Sequence, residues 1–204
     1  MQQDTETRKR LIDSACAEFV EKGYAKTSLR TVCSNAGVTT GALYFFFDDK
    51  ADLFRAVVGD YVESLYSMID SHFREDLELI DSPDYDGSVD DHSKFAQELI
   101  HHIYGKYDIA LLLLNKSQGS EYEDLVERLI ALIEDHCNGL TEALVKKGFY
   151  KKKVNKTMSH LLICMIFDSF VRLVRHEPEE KKAVAGVKKI FKMTMSNWTE
   201  VVFE

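Results

Sequence analysis

Residues Cys33 to Lys50 read CSNAGVTTGALYFFFDDK. Four aromatic side chains stand in succession, Tyr44 to Phe47, directly after a run of small and hydroxylated residues. Successive side chains on a helix are about 100° apart, so four in a row cover most of its circumference. They cannot all face one core. The spacing sorts them. Leu43 and Phe47 lie four apart and face inward, Phe46 packs near the same seam, and Tyr44 and Phe45 point away. An outward Tyr–Phe pair on a short polar helix is unusual enough to carry information.

The flanks say what kind of unit holds this helix. Upstream, TRKRLIDSACAEFVEKG puts Leu11, Ile12, Ala15, Phe19 and Val20 on one stripe, with Gly23 as a stop. A short helix begins near Ser28, with Leu29, Val32, Cys33 and Ala36 as its apolar face, and Gly37 ends it. Thr39 is suited to cap the helix that carries the aromatics. Two short helices joined by a tight glycine turn, after a longer helix, make a helix-turn-helix unit. Gly37 tolerates the positive φ that such a turn requires.

In such a unit the second helix enters the DNA major groove with its first residues against base edges. Thr39 and Thr40 offer hydroxyls, and Gly41 and Ala42 let the backbone approach closely. Tyr44 can donate to a phosphate, and Phe45 can touch a thymine methyl. The alternative is that Tyr44 and Phe45 pack on the next helix or on a partner protein, since exposed aromatics also mark protein interfaces.

Charge agrees with DNA contact through one end only. The 204 residues carry a net charge of −8. Residues 1–50 hold seven Lys or Arg and seven Asp or Glu, so the rest of the chain carries the whole excess. A neutral end with clustered cations (Arg8, Lys9, Arg10) is joined to an acidic body.

The remainder reads as helix. A long helix is expected from near Lys50 to Asp76, and further helices near 92–105, 107–117, 121–147, 155–175 and 179–203. The segment IDSPDYDGSVDDHS is expected to be a loop. The fold class is therefore all-α, with a helix-turn-helix domain over 1–49 and a larger helical domain over 50–204. No uncharged apolar run reaches the roughly 18–20 residues that span a bilayer. With no apolar leader either, the expected location is the cytoplasm, without membrane contact. The four cysteines show no C-x-x-C spacing and read as free thiols.

The run from Ala15 to Phe54 resembles the TetR family of bacterial transcriptional repressors. That family places an Ala and a Phe in its first helix, then Gly, Thr and AGVSxGxLYxHFxxKxxL. This chain has Ala15, Phe19, Gly23, Thr27 and AGVTTGALYFFFDDKADL. It departs at Phe46, where His or Tyr is usual, and at Val32-Cys33, where Ile-Ala is usual.

The resemblance implies DNA contacts at Ser28, Arg30, Thr39, Thr40, Gly41, Ala42, Tyr44 and Lys50, and the outward setting of Phe45 adds that residue. Lys50 also stands at a helix start, where a phosphate is favoured; its plain alternative is pairing with Asp48 or Asp49. The resemblance implies a homodimer on a (pseudo)palindromic operator in double-stranded DNA, joined by the last two long helices. Leu162, Ile166, Phe170, Phe191 and Trp198 are the interface candidates, with an intramolecular core as the alternative. It also implies an effector pocket for a small molecule among the middle helices. Candidate wall residues are Phe54, Tyr61, Tyr66, Tyr104, Phe167 and Phe170.

The expected function is a ligand-responsive DNA-binding regulator, a repressor released by its effector. The alternatives are a helical-bundle metal-binding protein or enzyme, and a helical interaction module. No nucleophile, phosphate-loop or paired-carboxylate motif supports catalysis, so neither an enzyme nor a cofactor is expected. Glu98 and His101 have the spacing of a di-iron ligand pair, but no second copy exists. His160, Cys164 and Asp168 recur along one helix face and read as a polar seam. No metal site is expected.

Overall fold

The computed structural model describes residues 2–85, 92–150, 154–195 and 198–202. These form ten helices, and no strand, among the described residues: α1 (Gln2–Lys22), α2 (Leu29–Ala36), α3 (Thr40–Phe46), α4 (Lys50–Asp81), α5 (Ser93–Gly105), α6 (Tyr107–Lys116), α7 (Leu125–Lys146), α8 (Lys156–His176), α9 (Glu180–Met195) and α10 (Trp198–Val202). The chain divides into two compact units. One is residues 1–64 with 106–125, the other 65–105 with 126–204.

The first unit is built on α1. Leu11, Ala15 and Phe19 are fully buried, as the stripe predicts. α1 packs on α2 and α3, and Val32 of α2, Leu43 of α3, and Leu53 and Phe54 of α4 are likewise fully buried. The Phe54 ring meets Phe19 edge-on at 4.7 Å and Tyr24 at 4.9 Å. Phe54 is thus a core residue of this unit and not a pocket wall.

The end of α1 is tied down from both sides. Lys116, at the end of α6, donates from Nζ to the carbonyls of Val20 (2.6 Å) and Glu21 (3.1 Å). Its own carbonyl accepts from the Tyr24 N–H at 2.8 Å. The buried Thr27 hydroxyl donates to the Gly23 carbonyl at 2.8 Å. The two Lys116 bonds satisfy helix-end carbonyls of α1, and the Thr27 hydroxyl reinforces the Gly23 carbonyl that the Thr27 N–H also reaches. They also explain Gly23 and Thr27 as a structural pair.

In the second unit α5 and α8 both pack on α9. Ile163, Trp198 and Val202 form a buried cluster joining α8 to α10, with Ile130, Ile133, Cys137, Leu162, Ile166 and Met195 against it. The Asn155 N–H donates to the Val202 carbonyl at 2.7 Å. The Tyr104 hydroxyl donates to the Glu177 carbonyl, linking α5 to the end of α8. α8 is apolar and long enough by composition to cross a membrane. Its Ile163, Phe170, Val171 and Val174 instead build this unit's core, while Asp168 and Arg172 pair on its exposed side at 2.8 Å.

Three expected boundaries shift. α4 continues through Leu79 and Ile80 to Asp81, since buried Ile80 extends its apolar stripe. Residues 121–124 form turns, and α7 begins only at Leu125. The last expected helix appears as α9 and α10. Residues 86–91 of the expected loop, and 196, 197 and 203 of the last helix, lie outside the described residues.

Gly23 and Gly37 both adopt positive φ, 80° and 65°. A Cβ at Gly23 would stand 3.0 Å from both Cβ and O of Lys116, whereas one at Gly37 meets nothing nearer than 3.9 Å. Gly37→Ala is expected to cost about 1 kcal/mol, from backbone strain alone. Gly23→Ala should cost about 2 kcal/mol or more, because the α6 junction must also move. Urea denaturation of both variants tests the order; equal losses would refute the steric contribution of Lys116.

Candidate nucleic-acid interface and ligand cavity

The interface is assembled from local geometry. Ser28 precedes α2 in an extended conformation, and its side chain makes no capping bond, so the hydroxyl stays outward. Arg30, the second residue of α2, is exposed. At the other end of α2, Gly37 takes the left-handed conformation and its N–H reaches the Ser34 carbonyl at 3.2 Å. The Val38 N–H closes on the Cys33 carbonyl at 3.0 Å, completing a tight C-cap.

Thr39 is the N-cap of α3, its Oγ1 accepting from the Ala42 N–H at 3.2 Å. That hydroxyl still has its own proton to donate. Thr40 and Gly41 are exposed, and Ala42 is half-buried. Leu43 is 0% exposed and Phe47 2%, whereas Tyr44 is 58% and Phe45 76% exposed. Phe46 lies between these extremes, its ring edge-on to Phe45 at 4.9 Å. The aromatic run is therefore divided as its periodicity predicts, with one refinement. α3 ends at Phe46, and Phe47 turns inward on extended backbone (φ −139°).

Cations surround this surface. Arg8 lies over the Phe47 ring, 5.4 Å from its centroid, and Arg10 donates to the Ala36 carbonyl at 3.3 Å. Lys50 does not pair with Asp48 or Asp49 in the manner of its plain alternative. Its Nζ donates to the Ala25 carbonyl at 3.2 Å and sits 4.7 Å above the Tyr24 ring. Burial lowers its pKa. Asp49 instead caps α4, accepting from the Asp52 N–H at 2.8 Å, and Asp52 accepts from the Asp48 N–H at 3.2 Å. That reciprocal pair pins the corner between α3 and α4.

The second unit contains a cavity of about 140 Å³. Its wall is largely apolar, with Phe73, Leu99, Ile133, Leu140, Phe167 and Phe191 among its residues. An apolar cavity of about 150 Å³ accommodates a molecule the size of benzene. Phe167 and Phe170, expected in a pocket, do line it. Tyr61, Tyr66 and Tyr104 do not. Tyr61 belongs to the first unit, and burial raises its hydroxyl's pKa well above the ordinary value. Tyr104 is engaged at the Glu177 carbonyl.

The interface candidates on α8 to α10 also look inward. Ile166, Phe170, Phe191 and Trp198 line the cavity, and Leu162 packs on the α8–α10 cluster. The large apolar side chains left exposed there are Leu161 (53%), Met165 (49%) and Met193 (69%). A helix that is apolar nearly all round gives periodicity no means to choose its inner face.

The polar part of the cavity wall includes His72, Asp76, His92, Thr141 and Cys137. Sequence reasoning passed over all of these. The one available signal was His72 and Asp76 at i, i+4 on α4. The arrangements weighed earlier dissolve into surface contacts. His101 pairs with Glu180 at 2.7 Å, Lys94 stands 3.7 Å from Glu98, and His160 pairs with Glu134 at 2.9 Å.

Residues 11–57 match the family model for bacterial regulatory proteins of the tetR family. The N-terminal domain thus resembles that of the TetR family, and the match covers this domain alone. It is similar to the HTH-type transcriptional repressor BepR of Brucella suis, 41% identical over 54 residues, 26% of each chain. The HTH-type transcriptional regulator AcrR of Shigella flexneri is 43% identical over 56 residues, 28% of this chain and 26% of that one. The matches thus span about a quarter of the length of these relatives, which are named as regulators and not as enzymes.

Over the whole chain the likeness is one of fold. The repressor MexZ of Pseudomonas aeruginosa gives a TM-score of 0.66 at 14% identity, covering 97% of this chain and 98% of that one. The regulator FadR of Bacillus subtilis, solved with stearoyl-CoA, gives 0.58 at 16% identity, covering 92% and 97%.

Two outcomes test this geometry. Leu43→Ala should destabilise the N-terminal domain by about 2–5 kcal/mol, while Phe45→Ala should stay within about 0.5 kcal/mol in the same denaturation assay. A large loss from Phe45→Ala would mean its ring is packed. In the cavity wall, burial first, and then the Asp76 and Glu134 carboxylates, push the Cys137 thiol up to about 12. Only about one molecule in ten thousand is then thiolate at pH 8. Iodoacetamide should therefore alkylate Cys137 at least about tenfold faster in urea than in the native protein, as read by peptide mass spectrometry.

Proposed function

We propose that the protein is a ligand-responsive transcriptional repressor that binds operator DNA as a homodimer. The observation that carries this reading is the surface of α3. A capped seven-residue helix holds Thr40, Gly41, Tyr44 and Phe45 outward by burying Leu43 and Phe47. A helix with small and hydroxylated residues at its start and exposed aromatics behind them fits a major groove. Thr39, Thr40, Gly41 and Ala42 meet bases and nearby phosphates, Phe45 gives apolar contact, and Ser28, Arg30 and Tyr44 hold the backbone. Lys50 contributes through the donors left beyond its bond to Ala25. The match to named repressors over this domain supports the same reading.

The cavity is the effector site. Its wall includes His72, Phe73 and Asp76 of α4, the helix separated from α3 by three residues. A molecule that binds one setting of α4 better than another shifts the population of recognition-helix arrangements and so changes operator affinity. Dimerisation uses the exposed apolar side chains of α8 and α9, Leu161, Met165 and Met193. The chain functions in the cytoplasm, where its operator is.

Fluorescence anisotropy on DNA from upstream of the protein's own gene tests the repressor reading. Binding should weaken steeply with salt. Arg30→Ala should lower affinity and reduce the logarithmic salt slope by about 1, and Phe45→Ala should cost about 1–3 kcal/mol of sequence discrimination. If no fragment in a genome-wide selection outcompetes random DNA, the DNA role is lost. Light scattering should report a dimer that Met165→Glu converts toward monomer; an unchanged dimer would remove α8 from the interface.

A further inference from the structure

We propose that His72, Asp76 and His92 bind a single divalent transition-metal ion of the zinc type in the cavity wall. His72 and Asp76 are one turn apart on α4, and His92 is the residue before α5. Their donor atoms converge. His72 Nε2 lies 2.9 Å from His92 Nδ1, and Asp76 Oδ2 lies 3.5 Å from the first and 3.6 Å from the second. Among the described residues these three form the group of His, Cys, Asp and Glu donors close enough to hold one ion.

The size of this triangle decides the kind of ion. Zinc bonds to imidazole nitrogen and carboxylate oxygen at about 2.0–2.2 Å, so tetrahedral ligand atoms stand about 3.4 Å apart. The observed edges of 2.9, 3.5 and 3.6 Å bracket that value. A point equidistant from all three atoms lies about 2 Å from each, a zinc bond length. Calcium and magnesium prefer all-oxygen shells, which two imidazoles do not supply.

The donors are also held in place. The His72 ring stacks on Phe95 with centroids 4.0 Å apart and planes 9° apart. His92 sits at φ 49°, a left-handed setting uncommon for a residue with a side chain. Its carbonyl accepts the Ala96 N–H at 3.0 Å, so the start of α5 holds it there. All three side chains are largely buried, 12%, 15% and 17% exposed. The plain alternative is a hydrogen bond between two histidines with an acidic neighbour. That alternative needs one close pair, whereas here all three separations match a shared ion. Three protein ligands leave the fourth tetrahedral position to water or to a donor atom of the molecule in the cavity. This last role rests on the effector-site reading above; the metal site does not.

The test uses the full-length protein stripped with chelator, then titrated with Zn²⁺ by calorimetry and with Co²⁺ by visible absorption. Expected is one ion per chain, an intense Co²⁺ d–d spectrum of tetrahedral type, and a raised melting temperature in zinc. Asp76→Asn and His92→Ala should each weaken binding by at least about tenfold and abolish the melting shift, with far-UV circular dichroism unchanged. His160→Ala, on the separate His160–Glu134 surface pair, should bind as the unsubstituted chain does. The proposal is overturned if no stoichiometric binding occurs. It is equally overturned if binding survives both cavity substitutions, or if His160→Ala removes it. None of these readings involves DNA, so loss of the metal site and loss of the repressor reading are told apart.

Discussion

The burial of Leu43 and Phe47 is the constraint on which the exposed surface of α3 depends. A seven-residue helix is too short to be stable alone, because nucleation costs more than so few hydrogen bonds return. α3 exists because these two side chains enter the core made by α1, α2 and α4, and because Thr39 and the Asp49–Asp52 pair fix its ends. Once Leu43 and Phe47 are inside, the 100° step leaves Tyr44 and Phe45 no place but outside. The exposed aromatics are thus a consequence of the packing that holds the helix. Removing either anchor would free the whole surface.

A similar economy operates where α1 ends. Lys116 returns from α6 to cover two carbonyls, and Thr27 covers a third. The approach is close enough that a Cβ at Gly23 would stand 3.0 Å from Lys116 and press on it. A segment 95 or 96 residues away in sequence is therefore part of the unit that carries α3. This is why the first compact unit includes residues 106–125 as well as the N-terminus.

The second unit combines two requirements that usually conflict. Its cavity wall is apolar enough to favour an uncharged or mostly apolar molecule, yet it holds a carboxylate and two imidazoles. Polar groups in such surroundings are costly unless they satisfy one another or share an ion. The mutual contacts of His72, Asp76 and His92 meet that requirement within the chain, and a shared cation meets it more fully. Two of the three ride on α4, so the polar group is anchored to one helix of this unit.

The sequence by itself determined the helical class, the helix-turn-helix unit and the division of the aromatic run. Those are local matters: periodicity, caps and glycine turns act within a few residues and leave a readable pattern. The contacts of Lys50, the walls of the cavity and the face of α8 were decided only by tertiary structure. Lys50 has donors for phosphate, carboxylate or carbonyl, and only the placement of Ala25 and Tyr24 selects among them. α8 is apolar around most of its surface, so Leu162, Ile166 and Phe170 turn inward and Leu161 and Met165 outward for reasons that lie in α7, α9 and α10. His72 and His92 are separated by the end of α4 and a stretch of sequence whose composition does not encode their approach. Their meeting within 2.9 Å is set by chain geometry, which no one-dimensional spacing records.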